Sequence, residues 1–460
     1  MPRNTIHVFL VLILILFAVM VPFLSSGYSE LEKASSSITY SEAAGHYQAA
    51  AQRIPWRADL YELSGHAYYH AQDYINANAA YQKAFQRGAL SPEGWVAWGD
   101  VNYLNKNPGR AAEIWEQAFE QNSPSEQLYS RLAQTYQETG NYSKAADSLQ
   151  RYVSVYSDDA AAHYRLGLLL TLSDPNTALS ELITASQLNP QLDPAVQTLR
   201  TALNLALIND SPSERFVIIG RGLGVLEEWQ LAHVAFTEAV KVDEKNAEAW
   251  AWLEEANQQI GQKESDGLDR ALGLSPNSAV IRGLRGLYFQ RSGNFRQALE
   301  EFEHAARLEP GNPAWQVSMG EAYSKLGDLI RALEAYKQAT TLAPDDPNYW
   351  RLLAIFCAQN GVHIKDVGIP AAQRVLIMLK DDPIAEDLLG WLHLLDSRYE
   401  DAERHLTRAL ELDSQYAAAH LHLAMLYLQK EDRVAAYDHL ISARNLGSVE
   451  AEALLKQYFP

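Results

Sequence analysis

The sequence predicts an all-α solenoid of about eleven helix hairpins, preceded by one apolar helix at the amino terminus. Three observations predict it. Small residues recur at one fixed spacing: Ala77, Ala111 and Ala145 fall 34 residues apart, as do Ala298 and Ala332, and Ala402 and Ala436. They open a local pattern of Ala, an aromatic or Leu four residues on, and Ala three beyond that, as in Ala77/Tyr81/Ala84 and Ala298/Phe302/Ala305. The third observation is an uninterrupted apolar run, Ile6–Leu24, before the first unit. A period in this range marks units that bury their apolar faces only against neighbours.

At the amino terminus, only His7 interrupts the run, Arg3 precedes it, and the next charges are Glu30, Glu32 and Lys33. Nineteen helical residues at ~1.5 Å each reach about 28 Å, close to the ~30 Å of bilayer hydrocarbon. Residues 1–24 are therefore expected to be a single-pass membrane anchor. The competing expectation is a cleaved signal peptide, with Ser25, Ser26 and Gly27 as small residues at a cleavage site. That would leave a secreted or periplasmic chain. Arg3 stays in the cytoplasm under the positive-inside tendency, which sends the rest across. Residues 25–39, rich in Ser, read as a linker.

One repeat unit can be followed residue by residue. Tyr61, Gly65, Tyr68 and Tyr69 lie on a first amphipathic helix, and Ala77, Tyr81 and Ala84 on a second, with a turn at Asp73-Tyr74. Gly65 and Ala77 let the two backbones approach, and Tyr68 and Tyr81 fill the space beside them. The eighth position of successive units holds Gly65, Gly99, Ala133, Gly167, Gly220, Gly286, Gly320, Ala354, Gly390 and Ala424. Proline ends many units, at Pro190, Pro276, Pro310, Pro344 and Pro383, where it stops one helix and suits the first turn of the next.

In type, spacing and number these residues resemble the tetratricopeptide repeat. The resemblance implies a right-handed superhelix whose first helices form a concave, partner-binding face. Residues 40–190 read as a front array and 213–447 as a back array, with an extra helix and a break at 191–212. Ala43/Tyr47/Ala50 reads as a lone second helix before the front units, and residues 448–460 as a capping helix. The array departs from the family pattern at three places. The unit near Asp174 is one residue short, Glu254 and Glu264 replace small residues, and Val362–Pro370 is an insertion.

By resemblance, the front binding face offers Asp59, Glu62, His66, Tyr69, His70, Glu93, Asp100 and Tyr103, with no Lys or Arg expected in the matching positions. Carboxylates and rings together suit a basic segment of a partner protein or peptide. The last two units offer Trp391, Leu394, Leu395, Leu421, Met425 and Leu428, an apolar face. It would take a partner's amphipathic helix, or be covered by the terminal helix.

Composition narrows the function further. The formal net charge is -19, which argues against nucleic acid, where basic residues must replace counterions. Cys357 is the one cysteine and reads as core packing. His66 and His70 stand four apart on one helix, a spacing that can bind metal, but no third ligand accompanies them. The acidic pairs Asp158-Asp159, Asp345-Asp346 and Asp381-Asp382 fall at unit boundaries just before a first helix, where an Asp caps free N–H groups. No catalytic motif stands out, so neither cofactor nor enzyme is expected. The reading is a non-enzymatic interaction scaffold with its repeats outside the cytoplasm. The alternative is an accessory factor of an envelope pathway: secretion, pilus assembly, polysaccharide export or cytochrome maturation. A repeat-bearing glycosyltransferase ranks last. The sequence leaves the oligomeric state open.

Overall fold

The computed structural model describes residues 3–120, 126–262 and 266–459, and for residues 3–17, 120 and 126 the backbone alone. The chain is 81% helix, and no strand occurs among the described residues. It divides into two compact units, Met1–Ile208 and Asn209–Pro460.

The first unit opens with α1 (Arg3–Ser36) and α2 (Tyr40–Arg53). Four hairpins follow: α3 (Asp59–His70) with α4 (Tyr74–Gln86), α5 (Pro92–Leu104) with α6 (Pro108–Glu120), α7 (Glu126–Glu138) with α8 (Tyr142–Val155), and α9 (Ala160–Leu170) with α10 (Pro175–Leu188). The extra helix α11 (Asp193–Ile208) closes the unit.

Among the described residues, the second unit holds seven hairpins. They are α12 (Pro212–Val225) with α13 (Trp229–Val242), α14 (Ala247–Gln259) with α15 (Gly267–Leu274), α16 (Ala279–Arg291) with α17 (Phe295–Leu308), and α18 (Pro313–Lys325) with α19 (Leu329–Leu342). Then come α20 (Pro347–Asn360) with α21 (Ile369–Met378), α22 (Pro383–Leu395) with α23 (Tyr399–Leu412), and α24 (Ala417–Gln429) with α25 (Arg433–Asn445). The terminal helix α26 (Val449–Tyr458) packs on α25 and α24 through Leu455, Leu440 and Ala424.

The small residues sit where the two helices of a pair cross. A methyl on Gly99 would lie 2.0 Å from the indole nitrogen of Trp115, and one on Gly286 would lie 2.4 Å from Phe302. Ala77, Ala111, Ala298 and Ala332 are fully buried. Helix starts are capped as the boundary residues require: Asp159, Asp346 and Asp382 accept from the backbone N–H of Ala162, Asn348 and Ile384.

Two expectations for the amino terminus change. Residues 25–36 are not a tether but continue α1 as helix. Nor is α2 a lone helix, because this part of α1 is its partner. Gly27 sits against Ile54, Ala34 is buried, Leu31 packs on Ala50 and Ala51, and Glu30 bonds His46 at 2.6 Å. The cause is legible afterwards: Gly27, Leu31 and Ala34 are spaced four and three apart, one stripe of a helix. Among the described residues no helix is long and apolar enough to cross a membrane. Much of the Ile6–Leu24 run, residues 6–17, lies outside the described side chains.

The irregular units keep their hairpins by local adjustment. The insertion winds into a π-helical turn, Ile364–Gly368, leading straight into α21. Val362, Ile364 and Val367 pack on the core there, beside Cys357, which is buried. Glu254 is buried in α14, while Glu264 lies outside the described residues.

Candidate functional site

On the first unit, Tyr69 from α3, Asp100 and Tyr103 from α5, Trp115 from α6, and Arg131 and Gln134 from α7 line a cavity of about 240 Å³. Three first helices thus converge, as a concave face requires. The cavity's charge differs from the expectation. Arg131 places Nη2 3.0 Å from Asp100 Oδ2, so a cation of the chain itself occupies the seat foreseen for a partner's. Burial pushes the Asp100 carboxyl up to about 6, against the opposing pull of Arg131. One guanidinium contact does not offset the lost hydration. The other guanidinium nitrogen, Nη1, is buried without a hydrogen-bond partner.

The remaining front residues separate into structural and exposed groups. Glu62 is buried; it accepts from the Ser91 backbone N–H at 2.7 Å and from the Ser91 hydroxyl, tying α3 to the start of α5. Burial raises its pKa, but hydrogen bonds from His66 and Ser91 outweigh that and hold it below the ordinary value. His66 shares a hydrogen bond of 2.9 Å with the Tyr81 hydroxyl. His70 is exposed and meets the rings of Tyr40 and Tyr69 instead. Tyr103 donates to the carboxylate of Glu138 at 2.7 Å. Asp59 is exposed and paired with Arg57, and Glu93 is exposed on the first turn of α5. Among the described residues, no three His, Cys, Asp or Glu side chains gather as a metal site.

The apolar face of the last units is largely spent on the fold. Leu394 is only 7% exposed and belongs to the core with Leu406, Leu423 and Leu426. Met425 packs against that same cluster. Leu421 packs against the cluster to which the terminal helix contributes Ala451 and Leu455. Trp391 stacks on His422 with ring centroids 4.9 Å apart. Leu428 is half-buried, and Leu395, 40% exposed, is left as the open remnant.

A second lined cavity, of about 340 Å³, lies on the first helices of the back unit. Gln290 of α16, Glu321, Ser324 and Lys325 of α18, and Ile355 and Gln359 of α20 contribute to it. Gln290 donates from Nε2 to Glu321 at 3.0 Å, and its Oε1 is buried without a partner. One unit earlier, Gln258 accepts from Arg291 at 2.9 Å, and its Nε2 is the unpaired atom. The charged neighbours fix both amide orientations: a guanidinium can only donate and a carboxylate only accept. Gln258 therefore has a donor to spare and Gln290 an acceptor.

Tetratricopeptide repeat family models match residues 103–169 and 289–355, and a second such model matches residues 62–126 and 388–440. The chain is a tetratricopeptide repeat protein. No curated protein matches it. Among solved structures it is similar to the APC/C hetero-tetramer Cut9-Hcn1, at 15% identity over 94% of this chain and 95% of that one, with a TM-score of 0.45. It is also similar to yeast Tom70, at 14% identity, 96% and 95% coverage and a TM-score of 0.40. MamA from Desulfovibrio magneticus RS-1 matches at 24% identity over 36% of this chain and 94% of that one, with a TM-score of 0.33.

Within the repeat, Gln258 and Gln290 occupy the twelfth position, four beyond the eighth residue, which is Glu254 before Gln258 and Gly286 before Gln290. Tyr69, Tyr103, Leu394 and Leu428 hold the same position in their units. Following that position through the middle of the tetratricopeptide array would have found the two amides. Arg131 was findable only by pairing positions six and nine of adjacent units.

Proposed function

We propose that the chain is a non-enzymatic scaffold that grips an extended segment of a partner protein by its main chain, on the first-helix face of the back unit. The observation that carries this reading is a pair of half-buried glutamines, each with one buried amide atom left unpaired, Gln258 Nε2 and Gln290 Oε1. An extended chain offers a C=O and an N–H at every residue, the two groups these amides lack. Buried polar atoms are rarely left unpaired, so a surface that leaves several on its first helices is suited to receive a partner. Lys325, which has no ion-pair partner among the described residues, and Glu321 flank the cavity and would add side-chain selectivity.

The front face keeps less of its expected preference for a basic segment. With Arg131 answering Asp100, Ser91 answering Glu62 and Arg57 answering Asp59, such a segment would meet chiefly Glu93. We place the scaffold at a membrane through Ile6–Leu24, with the repeats on the far side from the cytoplasm. The length of the run and the position of Arg3 support that placement.

The test is site-specific photo-crosslinking in native membranes. A photoreactive residue at Ser324, inside the cavity, should give adducts that disappear in the Gln258→Leu/Gln290→Leu double variant. Ile330, exposed on the second helix α19, supplies the comparison. Equal adducts from both positions, or Ser324 adducts that survive the double substitution, would refute the reading.

A further inference from the structure

The expected anchor and the first hairpin are one helix. α1 runs without a break from Arg3 to Ser36, through the end of the apolar run at Leu24 and into the packed stretch that begins at Gly27. α2 lies antiparallel on that stretch, and its carboxyl end returns to the same level: Arg53 Nη1 donates to Ser26 Oγ at 2.8 Å, and a methyl on Gly27 would lie 2.6 Å from Ile54. The link between α2 and α3, residues 54–58, is thereby held beside the turn of α1 that follows the apolar run.

We propose that this link is a membrane-interface foot, seating Trp56 and Tyr28 in the headgroup layer of the bilayer that Ile6–Leu24 enters. The proposal rests on the anchor reading and adds to it a second contact, made by the repeat array itself. Trp56 is 57% exposed and Tyr28 50%. Below them on α1, Val19, Val21 and Phe23 are also exposed. Exposed apolar side chains on several faces of one helix call for a cover. The run's length selects lipid as that cover, since it matches the hydrocarbon thickness.

The depth fits as well. Tyr28 stands four residues beyond Leu24, about 6 Å along the helix. A headgroup layer is about 5–7 Å deep on each side of the hydrocarbon. Trp and Tyr favour that layer, because each joins an apolar ring to a polar tip. Arg53 and Arg57 stand beside the rings, but Arg53 is held by Glu30 at 3.1 Å and Arg57 by Asp59 at 2.7 Å. The foot is thus close to neutral, and it should engage zwitterionic and anionic lipid alike and tolerate salt.

The test uses the full chain with Cys357→Ala, reconstituted in phosphatidylethanolamine vesicles with a minority of phosphatidylglycerol. A cysteine placed by Trp56→Cys carries an environment-sensitive fluorophore. Lipids bearing a quencher near the headgroup should extinguish it. The same label from Ile75→Cys, at the opposite end of the α3–α4 pair, should keep its emission. Carbonate extraction on the same vesicles reads the anchor separately. A chain that resists carbonate while both labels stay bright removes the foot and leaves the anchor. A chain released by carbonate removes both. Quenching at 56 that vanishes in high salt also overturns the proposal, because it would be electrostatic adsorption through the arginines.

Discussion

Replacing Gly99 with Ala should destabilise the second hairpin of the front unit, although Ala is the better helix former. The added methyl would come within 2.0 Å of Trp115 Nε1 and 2.3 Å of Cδ1. Trp115 cannot yield easily: it is 2% exposed, and its indole N–H donates to the Val96 carbonyl at 3.1 Å. Overpacking of this kind costs about 1–3 kcal/mol. The helix propensity gained from Gly to Ala returns about 0.8–1 kcal/mol. The difference leaves roughly 1–2 kcal/mol against the fold at the upper part of the overpacking range. A repeat array need not unfold in one step, so a single melting temperature is a poor reading. Hydrogen exchange of the α5 and α6 amides reports the local loss directly. Gly45→Ala supplies the opposite sign: Gly45 is exposed within α2, nothing lies within 4 Å of the added methyl, and the pair should gain about 0.5–1 kcal/mol. If Gly99→Ala slows exchange in α5 as Gly45→Ala does in α2, close approach at the eighth position is not what the glycine serves.

Three further outcomes can be checked. The Asp100 carboxyl should titrate near 6, and Asp100 favours the folded state more as pH falls from about 6 towards the unfolded value near 3.9, because only the folded form then binds the extra proton. Carboxyl carbon shifts would show this, with Arg131→Leu moving the midpoint higher; a midpoint near 4 would contradict it. Glu62→Ala should cost about 1.5–3 kcal/mol, as expected for hydrogen bonds to a charged group, and should fray the first turn of α5 in hydrogen exchange. Leu394→Ala should cost about 2–5 kcal/mol and loosen α22–α24, whereas its neighbour Leu395→Ala stays within about 0.5 kcal/mol. Equal effects at the two positions would return Leu394 to the surface.

The hairpins were legible because their signal is steric and local. Gly99 and Ala111 must be small for reasons set within a single unit, and a fixed period repeats the message. The partner of α2 was harder to see. Gly27, Leu31 and Ala34 carry the helical stripe, but Ser and Glu around them dilute it to the look of a tether. The first-helix cavity was legible in its lining and not in its charge. Tyr69, Asp100 and Tyr103 do line one cavity, yet the cation that meets Asp100 comes from a residue 31 positions away. Only a pairing of positions six and nine in adjacent units would have shown it. At the other end, Leu394 holds the position of Tyr69, and its apolar side chain is drawn into the core instead of lining a groove. Position assigns a residue to the first-helix face; the chemistry of its neighbours decides whether it stays open.

The π-helical turn at Ile364–Gly368 bears on how such an array tolerates changes in length. In an α-helix each added residue rotates everything after it by about 100°. A few extra residues at the start of a second helix would turn its buried stripe away from its partner. The wider turn takes up that rotation before α21 begins, and Ala371 still arrives buried beneath α20. Downstream, Ala402 and Ala436 resume the 34-residue spacing as though nothing had been inserted. The segment therefore acts as a phase corrector, which confines a length change to one unit and spares every surface beyond it.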